Sequence, residues 1–216
     1  VTKANASIAA ASGSGPNVAT YEPGDGKDYQ VIMTAGDDGN LDGTLPSYVM
    51  SIASSAGAAG RIHFDLFNAS GSGKTVVLRL LTVSPVLNTT VTGTLSPDFD
   101  LIRTSAVGTA GTTISEASTA PSVSRMDSTD PALPAQITMR SIPTGGATSA
   151  VFWQRNYVTQ EETSVGAQLA QFQNFLVTEG LSCKRYTLHE GEGVKLVQNT
   201  LGVAQNFTIT LIFTAV

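Results

Sequence analysis

Charge is scarce in this chain. Only 13% of its 216 residues are Asp, Glu, Lys or Arg, against roughly a quarter in ordinary soluble proteins. Ser, Thr, Asn and Gln supply the polarity, and the mean hydropathy is slightly positive at +0.09. A surface this poor in charge suits being covered by another chain, because charged residues are depleted from interface cores. The net charge is -5 and the pI is near 4.9. With the basic residues scattered and no basic stripe, no nucleic-acid partner is expected, since phosphate binding needs clustered Lys and Arg.

Cysteine is nearly absent. Cys183 is the only one, which excludes an intrachain disulfide, argues against a Cys-based metal site and leaves a buried, inert thiol as the expectation. His63 and His189 are the only histidines, too few for a His-rich metal centre, and H-E-x-x-H fails because Gly193 stands where its second His is needed. No apolar run approaches the ~18 residues of a membrane span, and the first residues lack the charged and apolar regions of a signal peptide. A soluble chain with no membrane partner is expected.

Catalytic signatures are missing too. There is no G-x-S-x-G elbow, and serines are too abundant for a Ser–His–Asp grouping to be read from sequence. Asp98, Asp100, Glu161, Glu162, Glu190 and Glu192 could be imagined as a glycosidase pair, but that chemistry needs a defined separation; they read as solvated loop carboxylates. No catalytic residue, cofactor or small-molecule substrate is expected.

What the chain does have is β-pattern. Gly, Ala, Ser and Thr make up 31 of the first 60 residues, while every Phe and the single Trp153 come later. Residues 1–58 therefore read as an extended arm or small loop-rich subdomain with possible short strands at 29–35 and 48–53, and 59–216 as the main body. In that body Ile62, Phe64 and Leu66 alternate with His63, Asp65 and Phe67, as in a strand with one buried face. In VVLRLLTV, Val76, Leu78 and Leu80 fall on one face and Val77, Leu81 and Val83 on the other, which predicts a strand buried on both sides. Further strands are expected at 98–104, 136–141, 150–157, 185–189, 194–198 and 206–215. The last is the cleanest, with Phe207, Ile209, Leu211 and Phe213 inward and Thr208, Thr210 and Thr214 outward. GTAGTT (108–113), the Ser/Thr/Pro segment 115–134, PTGG (143–146) and HEGEG (189–193) read as connections. Residues 164–177 fit either a helix or a strand. Many short strands with such turns define an all-β sandwich or barrel.

Two motifs invite a ligand. GSGKT at 71–75 ends like a phosphate-binding loop, but Asn68 occupies the place of that motif's first glycine and a strand follows where its helix should begin; a hairpin turn is expected instead. Asp38, Asn40 and Asp42, followed by Gly43, match the first half of an EF-hand calcium loop and are the candidate metal ligands. Val49 stands where the bidentate Glu belongs, so an Asx-rich turn explains them without an ion.

Four stretches taken together, FNASGSGKTVVLRLLTVSP (67–85), DFDLIRTSAVGTAGTTI (98–114), LPAQITMRSIPTGGAT (133–148) and LHEGEGVKLVQNTLGVAQNFTITLIFTAV (188–216), resemble β-rich structural proteins of tailed bacteriophages, of the kind that decorate or cement the capsid. The resemblance implies a jelly-roll-like antiparallel β-sandwich, here with an extended N-terminal arm, assembled as a homotrimer on the outer surface of the virion. Its partners would be the major capsid protein and copies of itself, with no enzymatic activity. Related β-sandwiches serve in tail and fibre modules, so a domain recognising a cell-surface glycan through Trp153 or Tyr157 is the alternative.

Overall fold

The computed structural model describes residues 19–21, 29–31, 45–86, 98–156, 185–200 and 206–216, with backbone only for 19–21, 29–31 and 148–156. The chain divides into two compact units, Val1–Leu45 and Pro46–Val216. In the first, β1 (Ala19–Tyr21) pairs antiparallel with β2 (Tyr29–Val31).

The second unit holds two antiparallel sheets, and no helix occurs among the described residues. Its strands are β3 (Ser47–Ala56), β4 (Arg61–Asn68), β5 (Val76–Val86), β6 (Asp98–Thr104), β7 (Thr112–Ile114), β8 (Ser122–Arg125), β9 (Ile137–Ser141), β10 (Thr148–Asn156), β11 (Thr187–Leu188), β12 (Glu192–Thr200) and β13 (Asn206–Ala215). One sheet runs β10-β6-β12-β4-β9-β7 and the other β11-β5-β13-β3-β8. The strands of the outgoing chain pair with those of the returning chain in reverse order: β3 with β13, β4 with β12, β5 with β11, β6 with β10. One long hairpin rolled across two layers gives this order, which is the topology of a jelly roll. β7 and β9 widen the first sheet beside β4, and β8 widens the second beside β3.

The core lies between the sheets. Met50, Phe64, Leu81, Leu101, Leu196, Ile209, Leu211 and Phe213 belong to one buried cluster, each contributing about 1.5–3 kcal/mol by leaving water. Phe99 and Phe207 meet edge to face at 5.2 Å across the layers, and Tyr48 stacks on Phe213 at 5.5 Å. The Tyr48 hydroxyl donates to the Pro131 carbonyl at 2.9 Å, so its polar end is satisfied.

Three expectations change. The division lies at 45/46, not 58/59, because 47–56 is an interior strand between β13 and β8; its alternate residues Tyr48, Met50 and Ile52 are buried in the core. VVLRLLTV is buried on both sides, with Val77 and Thr82 buried opposite the core, but its residues are not divided between the faces as expected. Phe213 pairs with Leu78 and Ile212 with Leu80, leaving Arg79 as an extra residue; this bulge advances the phase by one, and Val76, Leu78, Leu81 and Val83 all point into the core. β4 carries a bulge at His63, since Leu196 pairs with Phe64 and Val197 with Ile62. His63 is thereby turned inward beside Phe64, while Asp65 and Phe67 on the opposite face are buried as well.

Other strands lie where expected, β6 and β13 at the predicted bounds. β7 and β8 fall inside segments read as connections. Residues 164–177 and Cys183 lie outside the described residues.

Candidate functional site

The two outward sheet faces differ in kind. On the five-stranded sheet, the side chains opposite the core are Ser47, Val49, Ser51 and Ala53 on β3, Thr208, Thr210, Ile212 and Thr214 on β13, and Val77, Leu80, Thr82 and Ser84 on β5; of these Val77, Thr82 and Thr214 are buried. Thr and Ser alternate with apolar residues because the inward positions of the same strands are taken by the core. The one charged residue on these three strands is Arg79, and its Nε donates to Thr214 Oγ1 at 3.3 Å. The face is therefore almost free of charge. Uncharged side chains cost little to desolvate when a second surface covers them.

The six-stranded sheet carries three of its charged residues in a row. Cross-strand register places Arg140 on β9 beside Asp65 on β4, and Asp65 beside Lys195 on β12. Two connections, 105–111 and 142–147, are tied to this row. The Gly108 N–H donates to Asp65 Oδ2 at 3.2 Å, Lys195 Nζ donates to the Gly146 and Gly145 carbonyls at 3.0 and 3.4 Å, and Arg140 donates to the Ala110 carbonyl at 3.2 Å. The connections also exchange two backbone bonds between Thr109 and Thr144. Burial pushes the Asp65 carboxyl above its ordinary range, opposed by the Gly108 N–H and by the charges of Lys195 and Arg140. Ala110 and Ile142 hold positive φ of 56° and 50°. For a β-branched residue this conformation costs on the order of 1–3 kcal/mol and persists only where surrounding bonds impose it. The two connections, bonded to each other and to the row, form a flap that shows Val107 and Ile142 to solvent, each 39% exposed.

The residues singled out by sequence are scattered. Asp38, Asn40 and Asp42 lie outside the described residues, as do Tyr157, Glu161 and Glu162. Trp153 is on β10, an edge strand. GSGKT joins β4 in one sheet to β5 in the other, so it is an arch between layers and not a hairpin. Its backbone does cradle an anion, the chain's own: Glu190 accepts from Gly73 N–H at 2.6 Å, Gly71 N–H at 3.2 Å and Ser72 Oγ at 3.4 Å. Gly71 and Gly73 have positive φ values of 84° and 64°, and their own N–H groups are the ones that meet the carboxylate. Those bonds, from Gly73 first and then Gly71, hold the Glu190 carboxyl below its usual range. Glu192 accepts from Arg103 at 2.6 Å and from the His189 N–H at 2.8 Å. Asp98 and Asp100 are strand residues of β6, and Asp100 is buried, not solvated in a loop.

One constellation escaped sequence reading. Ser55 Oγ lies 2.8 Å from His63 Nδ1, and His63 Nε2 lies 3.2 Å from Gln198 Oε1. The Gln198 amide nitrogen donates to the Thr200 carbonyl at 2.9 Å, so its oxygen faces the ring. The hydrogen-bond network thus assigns the proton to Nε2 and makes Ser55 the donor to Nδ1. Both Ser55 and His63 are 0% exposed, and burial lowers the His63 pKa to about 4. A nucleophile–base pair needs access to substrate, which this pair lacks; it joins the two sheets instead. No three His, Cys, Asp or Glu side chains converge among the described residues.

Fold and surface define a class, a jelly-roll β-sandwich with one charge-poor sheet face and one flap-covered face. Comparison with protein-family models, with curated proteins and with solved structures found no match.

Proposed function

We propose that this chain is a non-enzymatic virion structural protein, a decoration or cement protein that stabilises a phage head through contacts with the major capsid protein and with copies of itself in a trimer. The observation that carries this reading is the charge-poor outer face of β5, β13 and β3, taken with the phage-like stretches of the sequence. Three strands of about ten residues span roughly 33 Å by 14 Å, on the order of 460 Å² at ordinary strand spacing. A standard interface takes about 800 Å² from each partner. This face supplies about half of that, and the remainder falls to contacts made by residues 1–45. Repetition over a closed shell then adds avidity to each modest contact.

The test is co-sedimentation of the full chain with empty capsids. Thr210→Lys together with Ile212→Lys places two charges in the middle of the face, and capsid occupancy is expected to fall at least tenfold with the melting temperature little changed. Unaltered occupancy overturns the assignment of this face. Binding to a glycan array in place of capsids would favour the tail or fibre alternative.

A further inference from the structure

Opposite charges close on each other directly where this chain leaves them partly exposed. Arg103 meets Glu192 at 2.6 Å, and Arg125 meets Glu116 at 3.2 Å. Where the flap is tied down they do not. Asp65 stands directly opposite Arg140 on the neighbouring strand, a placement that brings Cβ atoms to about 4.5–5.5 Å. The two groups sense each other: burial raises the Asp65 pKa, and the charge of Arg140 is among the influences that lower it. Yet no Arg140 nitrogen comes within the 4.0 Å of an ion pair with Asp65.

Each side chain instead gives one atom to the flap. Asp65 Oδ2 accepts from the Gly108 N–H at 3.2 Å, and Arg140 Nη1 donates to the Ala110 carbonyl at 3.2 Å. A Cβ added at Gly108 or Gly146 would lie 3.3 or 3.6 Å from Asp65 Oδ2, so both connections pack against this carboxyl group. What is left over is complementary. Asp65 Oδ1 is a buried acceptor without a donor, and Arg140 Nε is a buried donor without an acceptor. Asp65 is 1% exposed, so bulk solvent does not reach its free oxygen. Buried polar atoms are met by protein or by ordered water in the great majority of native structures, because leaving them unpaired is costly.

The chemistry of the pair selects the occupant. A cation would be repelled by the guanidinium, and an anion by the carboxylate. The group that fits is small and uncharged, and it must accept one hydrogen bond while donating another. We infer that an ordered water molecule is bound between Asp65 and Arg140, accepting from the Arg140 Nε–H and donating to Asp65 Oδ1. Such a bridge is nearly as favourable in enthalpy as a direct hydrogen bond. It also acts as a spacer. A direct ion pair would draw the two side chains toward each other and away from Gly108 and Ala110, whereas the water leaves both extended to the connection they hold.

The test is a high-resolution crystal structure of the full chain, with water-selective NMR on the same protein in solution. A solvent peak within about 3.2 Å of both Asp65 Oδ1 and Arg140 Nε is expected, together with a long-lived cross-peak between water and the Arg140 Nε–H. Arg140→Met keeps an unbranched side chain but removes the donor, and the peak beside Asp65 Oδ1 should be lost. The inference is overturned by a direct contact between Asp65 and Arg140, by a dry gap between the two atoms in the parent, or by a peak that persists in Arg140→Met.

Discussion

His63 ties together groups that are far apart in the chain. Its ring touches Phe99 and Phe207 at 5.7 and 5.6 Å and bridges Ser55 and Gln198; the charged neighbour that affects it is Arg61, which further disfavours protonation. The unfolded chain takes up this proton near pH 6.5, the folded chain only near pH 4. Between those values the unfolded state holds more protons, so stability is full above pH 6.5 and declines as pH falls toward 4. From pH 7 to pH 5 the loss through this residue is about 2 kcal/mol. Urea unfolding of the parent and of His63→Gln at the two pH values measures it: the variant should be less stable at pH 7 but show a shallower decline. The alternation around 61–68 reads as a strand in the sequence, but the bulge that turns His63 inward does not. It depends on Leu196 and Val197, more than 130 positions away.

At the scale of the element, β5 shows how one residue sets the direction of all that follow. With Arg79 as an extra residue, Leu81 and Val83 fall into the core; had Arg79 taken a regular place in the ladder they would point outward, since side-chain direction has a period of two. Deletion of Arg79 keeps Leu78 opposite Phe213 and Leu80 opposite Ile212, so Leu81 and Val83 are expected to stay inside and the midpoint of chemical denaturation to move by about 1 kcal/mol at most. A loss of several kcal/mol would overturn the place given to Arg79. β13 was fully legible because it has no extra residue between Ile209 and Phe213, so its local pattern and its burial coincide. β7 and β8 were not legible. They are three and four residues long, too short for a periodic signal, and they exist because β9 and β3 offer pairing edges.

At the scale of the whole molecule, the position of the division between units separates two truncations. Removal of 1–45 leaves β3 in place, and the remainder is expected to keep its cooperative melting and its β-type circular dichroism while attaching less well to capsids. Removal of 1–58 takes away a strand that pairs with both β13 and β8, strips Tyr48, Met50 and Ile52 from the core and should leave an unfolded or aggregated chain. Equal folding of the two truncations would overturn the place given to β3. Composition drew the line at 58 because small residues dominate both the arm and the far end of β3, from Ala53 to Ala56. Small side chains can line a strand as readily as a loop when the neighbouring strands supply the pairing.

The sequence by itself determined the β character of the described residues, the lack of an intrachain disulfide, and the placing of Phe207, Ile209, Leu211 and Phe213 inside by the final strand. These are local properties, set by side-chain period, turn chemistry and residue type. Only the tertiary structure decided the jelly-roll order, the inward turn of His63, the row of Arg140, Asp65 and Lys195 beside its two connections, and the capture of Glu190 by Gly71 and Gly73. Each depends on which strands lie side by side, and that choice is made by burial and hydrogen bonding between residues distant in the chain.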